Sequence, residues 1–201
     1  MTAAGLRERK QERQRAQIVA VGLRLFTDQG FDATTVDQIA EAAEVSRRTL
    51  FRYFGTKGDI IMDWARGTTD TLCAALRERP RDEPPLESLR AAFQALNHSF
   101  TGDVRAIHAQ ALMSERTPSL RPYSLLKYAQ WEDALADVLR ERSPAAAPAP
   151  EPVPGLLARI AVAAFRTALD QWFATPGDVP PIEFTDRAFD LAGDTANLSR
   201  L

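Results

Sequence analysis

Apolar side chains recur at helical spacing along most of the chain, and no strand signal rises above short, ambiguous runs. The first clear apolar stripe consists of Ile18, Val21, Gly22, Leu25 and Phe26. Gly30 follows this stripe and is expected to end the helix as a left-handed cap, with Phe26 and Phe31 in contact across it. The pattern therefore predicts an all-α protein whose first apolar stripe lies on one amphipathic helix.

Two short helices joined by a tight turn are predicted next along the chain. Thr35 is expected to cap the first of them, with Gln38 completing a capping box three residues later. Ser46 is expected to cap the second, which directs Leu50 and Phe54 inward. A pair of short helices braced by a preceding helix is the arrangement of a helix-turn-helix unit.

Longer helices are predicted for the rest of the chain. Their expected ranges are 59–79, 86–99, 103–116, 119–142, 156–173 and 183–192. Thr56 and Asp59 can form a further capping box at the start of the first of these helices. Residues 143–154 are rich in proline and alanine and are interpreted as a linker. We therefore divide the chain into a three-helix helix-turn-helix domain, 1–58, and a larger helical bundle, 59–201.

The distribution of charge adds a preference about the partner of the first domain. The 201 residues carry a formal net charge of −2, and 45% of them are hydrophobic, which is typical of a globular protein. Residues 1–58 carry ten basic and seven acidic side chains, whereas residues 59–201 carry 15 basic and 20 acidic ones. This asymmetry favours a nucleic-acid contact in the first domain.

Several functional classes are disfavoured by what the sequence lacks. The single cysteine, Cys73, excludes an intramolecular disulfide, and His98 and His108 are spaced too far apart on a helix to share a metal ion. No apolar run reaches the roughly 18 residues of a membrane span, and the first residues lack the apolar core of a signal peptide. We also find no phosphate-binding loop, nucleophile motif or acid–base pair. We therefore expect a cytoplasmic protein that is not an enzyme and that holds no metal or cofactor.

The second short helix carries side chains that suit DNA. Arg48 and Arg52 lie opposite its core-facing side, and Arg47 flanks them. Arginine can donate two hydrogen bonds to O6 and N7 of guanine in the major groove. A solvated basic helix face is the alternative interpretation, and the caps and the bracing helix argue against it.

Residues 18–62 resemble the DNA-binding domain of TetR-type transcriptional regulators. The stretch that carries the resemblance is LFTDQGFDATTVDQIAEAAEVSRRTLFRYFGTKGDII, residues 25–61. The resemblance implies an all-helical homodimer on double-stranded DNA, with Arg47 and Arg48 at base edges. The DNA-binding residues that we predict on this basis are Thr35, Ser46, Arg47, Arg48, Thr49, Phe51, Tyr53 and Lys57. Four of them are expected at phosphates, which set the register of the protein on DNA: Thr35, Thr49, Tyr53 and Lys57.

Two positions depart from the pattern of the family. Glu44 stands at the corner between the two short helices, where glycine is usual, and a left-handed conformation there would cost about 1 kcal/mol. The carboxylate of Glu44 would also repel DNA. Phe51 stands where tyrosine is common, so that one hydrogen bond to a phosphate is lost. The sequence leaves open whether these two departures weaken DNA binding.

The segment before the first apolar stripe is basic. Residues 7–15 contain five basic side chains and two acidic ones. These side chains either reach the phosphates or the minor groove of DNA, or form a frayed start of the first helix that promotes solubility. The sequence leaves both interpretations open.

From about residue 85 onward the chain loosely resembles TetR-type regulators of the mycofactocin system, which respond to acyl-CoA. The resemblance rests on SERTPSLRP (114–122), the tryptophan-containing helix 125–142 and the apolar helix that ends at Trp172. It implies a small apolar or acyl-CoA-like effector between the helices, in a pocket with apolar walls and a few polar groups. The pocket residues that we predict are Phe93, Asn97, Phe100, His108, Tyr128, Trp131 and Phe165. A plain aromatic core is the alternative interpretation of this set.

Helix 156–173 is apolar on more than one face, and each apolar face needs to be covered. Its stripe of small residues permits close approach of a second subunit, and the resemblance implies a two-fold interface built from the last two helices. The interface residues that we predict are Leu157, Ala161, Ala164, Ala168, Phe184, Ala188 and Leu191. A central helix of a monomer is the alternative.

These patterns together predict a dimeric transcriptional repressor that a small apolar ligand releases from a palindromic operator. The alternative is a dimeric ligand-binding or interaction protein whose helix-turn-helix no longer binds DNA. Glu44 is the feature that supports this alternative.

Overall fold

The computed structural model describes residues 3–143 and 152–194, and every regular element within these ranges is helical. The α-helices are α1 (Ala3–Gln29), α2 (Val36–Ala42), α3 (Arg47–Tyr53), α4 (Lys57–Glu78), α5 (Pro85–Ser99), α6 (Val104–Arg116), α7 (Arg121–Arg142), α8 (Val153–Trp172) and α9 (Pro181–Gly193). A short 3-10 helix, Pro118–Leu120, precedes α7. The all-α prediction is therefore confirmed. Among the described helices, none is both long enough and apolar enough to cross a bilayer.

The chain packs into two compact units. One unit is Met1–Arg66 together with Ala109–Ser124, and the other is Gly67–His108 together with Leu125–Leu201. The first unit thus contains more of the chain than residues 1–58, because Ile60 and Leu120 are fully buried in the same apolar cluster as the helix-turn-helix. Sequence periodicity alone did not indicate that the end of α6 and the start of α7 would join this cluster.

The core of the first unit forms around α1. Ile18 and Phe26 of α1 and Ile39 of α2 are completely buried. Gly30 has a φ of +89°, and its N–H donates to the carbonyl of Phe26 at 3.0 Å. The rings of Phe26 and Phe31 meet edge to face with centroids 4.9 Å apart. The predicted left-handed cap and aromatic contact are therefore confirmed. The hydrogen bond from Gly30 to Phe26 is the single backbone bond of an αL cap.

Hydroxyl caps begin α2, α3 and α4 as the sequence predicts. Thr35 accepts from the N–H of Gln38, whose side chain accepts in return from the N–H of Thr35, which completes the capping box. Ser46 accepts from the N–H of Thr49 at 3.0 Å. Reciprocal bonds of 2.9 and 3.2 Å join Thr56 and Asp59, so α4 begins at Lys57, two residues before the predicted start. Each cap supplies an acceptor to an N–H that the helix itself leaves unpaired.

The start of α8 corrects the predicted linker. The helix begins at Val153 rather than at residue 156, and Pro154 is buried in its first turn. Proline is tolerated there because the first N–H groups of a helix have no partner within the helix. Residues 144–151 of the predicted linker, 143–154, lie outside the described residues.

In the second unit, Arg142 ties the end of α7 to the turn between α4 and α5. Its guanidinium donates to the carbonyls of Arg79 at 2.8 Å and Pro80 at 2.7 Å, and to the hydroxyl of Ser88 at 3.1 Å. These carbonyls follow the end of α4 and need donors from elsewhere. Helices α8 and α9 pack against each other and against α5.

Candidate nucleic-acid interface

The exposed side of α3 is basic and aromatic. Leu50 is buried within the first unit and so is Phe54, the residue that follows the helix. Arg47 and Arg48 are exposed at the beginning of the helix, and Phe51 is 43% exposed one turn further on. A short rigid helix with arginines at its exposed N-terminal end has the geometry of a major-groove recognition helix.

Asp37 holds the guanidinium of Arg47 from the neighbouring helix. The Nη1 of Arg47 lies 3.2 Å from Oδ2 of Asp37, and its guanidinium carbon lies 5.5 Å from the centre of the Phe51 ring. A guanidinium fixed on one side by a carboxylate and on its face by a ring keeps its remaining donors in a defined direction. Asp37 was missed at the level of sequence because its position ten residues before Arg47, on another helix, carries no local signal.

Three predicted hydroxyl residues lie at or near the starts of α2 and α3. Thr35 and Ser46 are exposed at the starts of α2 and α3, and Thr49 is half-buried one turn later. The hydroxyl of Thr35 also donates to Oε1 of Gln38 at 3.0 Å. The hydroxyls of Thr35 and Ser46 thus order the starts of the two short helices.

Tyr53 and Lys57 are engaged within the unit. The hydroxyl of Tyr53 donates to Oε1 of Gln14 at 3.1 Å. The ammonium of Lys57 donates to the carbonyls of Phe31 at 2.6 Å and Thr34 at 2.9 Å, and lies 3.4 Å from that of Asp32. Lys57 thus fastens the start of α4 to the turn between α1 and α2. Its contact with a DNA phosphate stays a prediction.

The corner between α2 and α3 is left-handed at the position where glycine is usual in the family. Glu44 has a φ of +54° and an exposed side chain. The N–H of Val45 donates to the carbonyl of Ala40 at 2.9 Å, which closes the turn. Gln17 of α1 donates to the carbonyl of Ala43 at 3.1 Å. The strain at Glu44, about 1 kcal/mol for a residue with a Cβ atom, is therefore held in place by bonds on both sides.

An ion pair joins α1 to α4 beneath α3. The guanidinium of Arg15 donates to Oδ1 of Asp63, with the Nε bond at 2.9 Å, and lies 5.6 Å from the centre of the Phe54 ring. This hydrogen bond raises the pKa of Arg15 above its usual value. The pair therefore links α1 to the first part of α4 within the first unit.

In the second unit, four of the seven predicted pocket residues form one aromatic group. The ring centroid of Phe93 lies 4.8 Å from that of Phe165 and 5.8 Å from that of Trp131, and Tyr128 lies 5.5 Å from Trp131. Phe189, which was not predicted, joins the group at 5.7 Å from Phe93. The indole N–H of Trp131 is buried and has no hydrogen-bond partner among the described residues.

The other predicted pocket residues lie elsewhere in the second unit. Asn97 is buried and donates to the hydroxyl of Thr185 at 2.8 Å. The ring of His108 packs edge-on against Trp172, with centroids 4.8 Å apart. Phe100 is half-buried at the end of α5. The single set predicted from sequence is therefore divided among separate contacts, because spacing along the chain does not define which helix faces meet.

Burial within the chain corrects the predicted dimer stripe. Four of its residues are already covered by the protomer's own helices: Ala161, Ala164, Ala168 and Ala188. Leu157 and Phe184 are half-buried. Leu191 is 45% exposed, and the exposed side of α8 carries Leu156 at 53%. Small residues allow close helix packing, and here the close neighbours belong to the same chain.

No group of three or more potential metal ligands occurs in the part of the chain that the structure describes. Cys73 is buried, and this burial raises the pKa of its thiol. Low thiolate content and burial together disfavour reactive-cysteine chemistry at this position.

The exposed basic helix α3 follows the capped helix α2 through a tight, strained corner. This arrangement defines a helix-turn-helix DNA-binding protein. The family model described as bacterial regulatory proteins, tetR family, matches residues 18–62, and that of the MftR C-terminal domain matches residues 83–196. The chain therefore belongs to the TetR family of DNA-binding transcriptional regulators. Both resemblances noted in the sequence are thereby confirmed.

Individual relatives agree with this assignment. The chain is 38% identical to the transcriptional regulator TcmR of Streptomyces glaucescens. The aligned region covers 69% of this chain and 64% of TcmR. It is 30% identical to MftR of Mycobacterium tuberculosis, named for mycofactocin biosynthesis, over 90% of this chain and 89% of MftR. A solved structure of Thermus thermophilus FadR with lauroyl-CoA shares the fold at a TM-score of 0.53, with 20% identity, 90% of this chain and 93% of that chain covered.

Proposed function

We propose that this regulator binds an approximately palindromic operator as a homodimer and represses transcription until a small apolar ligand releases it. The observation that supports sequence-specific DNA binding is the exposed start of α3. There Asp37 orients Arg47, which is followed directly by Arg48. Two such helices related by a two-fold axis would enter successive major grooves roughly one helical turn apart.

The test is a selection of bound fragments from a random DNA pool at physiological salt, followed by titration of the recovered site. A two-fold palindrome is expected. Arg47→Ala combined with Arg48→Ala should lower operator affinity by a few kcal/mol, since each good bidentate base contact is worth about 1–3 kcal/mol. Its thermal midpoint should stay unchanged because both side chains are exposed. Undiminished affinity of the double variant would remove these two arginines from the interface.

We propose that dimerisation uses the exposed apolar side chains of α8 and α9. Leu156 and Leu191 are exposed there, and Leu157 and Phe184 are half-buried beside them along the same helices. Leu156→Glu with Leu191→Glu should shift sedimentation from dimer to monomer, whereas Ala74→Glu at an exposed position of α4 should not. A wild-type monomer at micromolar concentration would contradict the proposal.

The effector that we propose is apolar or acyl-CoA-like and binds within the second unit. The buried N–H of Trp131 supports this, since a buried donor without an acceptor costs about 1–3 kcal/mol and a ligand oxygen would satisfy it. FadR of Thermus thermophilus, a structural neighbour, binds lauroyl-CoA. Lauroyl-CoA is therefore the first probe, and it should lower operator affinity at least tenfold, which requires a preference of about 1.4 kcal/mol for the released state.

Trp131→Phe keeps the ring contacts of the aromatic group and removes the donor, so it should weaken the ligand's effect without abolishing operator binding. Operator affinity that is insensitive to lauroyl-CoA would reject the acyl-CoA class. A reporter assay with the recovered operator gives the sign of regulation, and derepression on deletion of the regulator is expected.

The second candidate is a ligand-binding protein that has lost operator recognition, and the left-handed Glu44 is the observation in its favour. The random-pool selection separates the two candidates. Recovery of no motif, together with binding that simply fades as salt rises, would favour this alternative.

A further inference from the structure

The N-terminal part of α1 extends beyond the region that matches the TetR DNA-binding family. Helix α1 spans 27 residues, Ala3–Gln29, whereas the family match begins at residue 18. The side chains of residues 8–13 are all exposed on this extension. The contacts of this extension within the first unit show which of its sides adjoins α3.

The extension starts beside the DNA-reading elements. Gln14 accepts a hydrogen bond from the hydroxyl of Tyr53, the last residue of α3, at 3.1 Å. Gln17, about one turn later, donates to the carbonyl of Ala43 beside the corner at 3.1 Å. These two bonds fix one face of α1 against the last residue of α3 and against the corner that precedes α3.

The basic side chains of the extension continue this same face. Successive residues of an α-helix are about 100° apart, which places Lys10 and Arg13 within about 70° of the mean direction of Gln14 and Gln17. Glu8 and Glu12 fall about 150° or more from that direction, again at 100° per residue. Lys10 and Arg13 thus lie on the side of the extension that continues toward the recognition helix, and the two glutamates lie on the opposite side.

We propose that this face, Lys10 and Arg13, is a second DNA contact of the regulator and binds phosphates flanking the sequence read by α3. Lys10 lies about 6 Å beyond Gln14 along the helix axis, at about 1.5 Å per residue. The face therefore extends past the part of α1 that contacts α3. Lysine and arginine contacts to phosphates add affinity without sequence preference. The inference rests on the DNA-binding function of the protein.

The experiment measures affinity against salt concentration for Lys10→Gln combined with Arg13→Gln. Each lost phosphate contact lowers the steepness of log K against log salt by about 0.9, and the dimer loses two contacts in each protomer, so the slope should fall by about 3.6. If wild type and variant converge at 1 M salt, that difference means an affinity loss of about 900-fold at 0.15 M. The loss should be equal on the selected operator and on a random-sequence duplex, because phosphates carry no sequence.

Two controls isolate the face. Arg105→Gln with Arg187→Gln removes the same charge from exposed positions of the second unit and should leave the slope unchanged. Glu8→Gln with Glu12→Gln tests the opposite side of the extension and should change the slope much less than the basic pair. Circular dichroism should show the same helix content and thermal midpoint in all variants, since the replaced side chains are exposed.

An unchanged slope in the Lys10/Arg13 variant would overturn the inference, and so would a loss confined to the operator, which indicates base reading. A failure of operator recognition is a separate result: the wild-type protein would then bind operator and random DNA equally.

Discussion

In the first unit, hydrogen bonds from polar side chains order the helix-turn-helix, whereas the aromatic group of the second unit contains a buried donor, the indole N–H of Trp131, that has no acceptor among the described residues. Thr35, Ser46 and Lys57 each bond backbone groups that order the helix-turn-helix. Phe93 and Trp131 belong to the aromatic group of the second unit, where the indole N–H has no acceptor among the described residues. The hydrogen bonds of the first unit order its surface before DNA is bound, whereas the unpaired N–H of Trp131 is the group that the proposed ligand would satisfy.

The largest expected effect is a difference in stability between a variant of the buried aromatic group and a variant of the exposed recognition helix. Phe93→Ala should lower the free energy of unfolding by about 3–5 kcal/mol, because it removes a completely buried ring. Phe51→Ala, the matched change at a 43% exposed ring, should alter stability by no more than about 0.5 kcal/mol. Denaturant titration of both variants measures the difference. Equal losses would mean that the two rings are not distinguished by burial.

Lys57→Met tests whether Lys57 orders the unit or contacts DNA. Loss of the bonds to the carbonyls of Phe31 and Thr34 should destabilise the first unit by about 1–2 kcal/mol. The salt dependence of DNA binding should stay as in the wild type, because the ammonium is already engaged. A fall of the slope by about 1.8, which is about 0.9 for each protomer of the dimer, would instead support the phosphate contact predicted from sequence.

Glu44→Gly should increase stability by up to about 1 kcal/mol and should also tighten DNA binding, since it removes both backbone strain and a negative charge. Glu44→Ala removes the charge and keeps the strain, so it should tighten binding without the gain in stability. Thermal unfolding and operator titration of the two variants separate the contributions. A stability gain in the alanine variant would contradict strain as its cause.

The smallest expected effect concerns Asp37. The exposed ion pair with Arg47 is worth less than about 1 kcal/mol to stability, so Asp37→Asn should unfold like the wild type. It should, however, reduce the preference for operator over random DNA, because Arg47 is no longer held in one direction. Glu41→Gln removes the same charge from the same helix and controls for repulsion alone. If both variants shift affinity for all DNA equally, Asp37 acts only through its charge.

Much of the first unit was predictable because its signals are local. The caps at Thr35, Ser46 and Thr56, the left-handed Gly30 and the tight corner at Glu44 involve residues at most five positions apart. The exposed face of α3 follows from the inward direction of Leu50. Such features depend on backbone geometry over one or two turns, which the order of residue types specifies directly.

Sequence by itself thus determined the helical class, the helix-turn-helix and the position of the arginines that face outward. Only the tertiary structure decided that Asp37 holds Arg47, that Lys57 bonds to the turn after α1, and that the alanine stripe of α8 is covered by its own chain. A helix that is apolar on several faces gives no preference for the neighbour that covers each face, because apolar burial is not directional. Charged side chains such as Lys57 likewise reach partners that adjoin them only after the helices have packed.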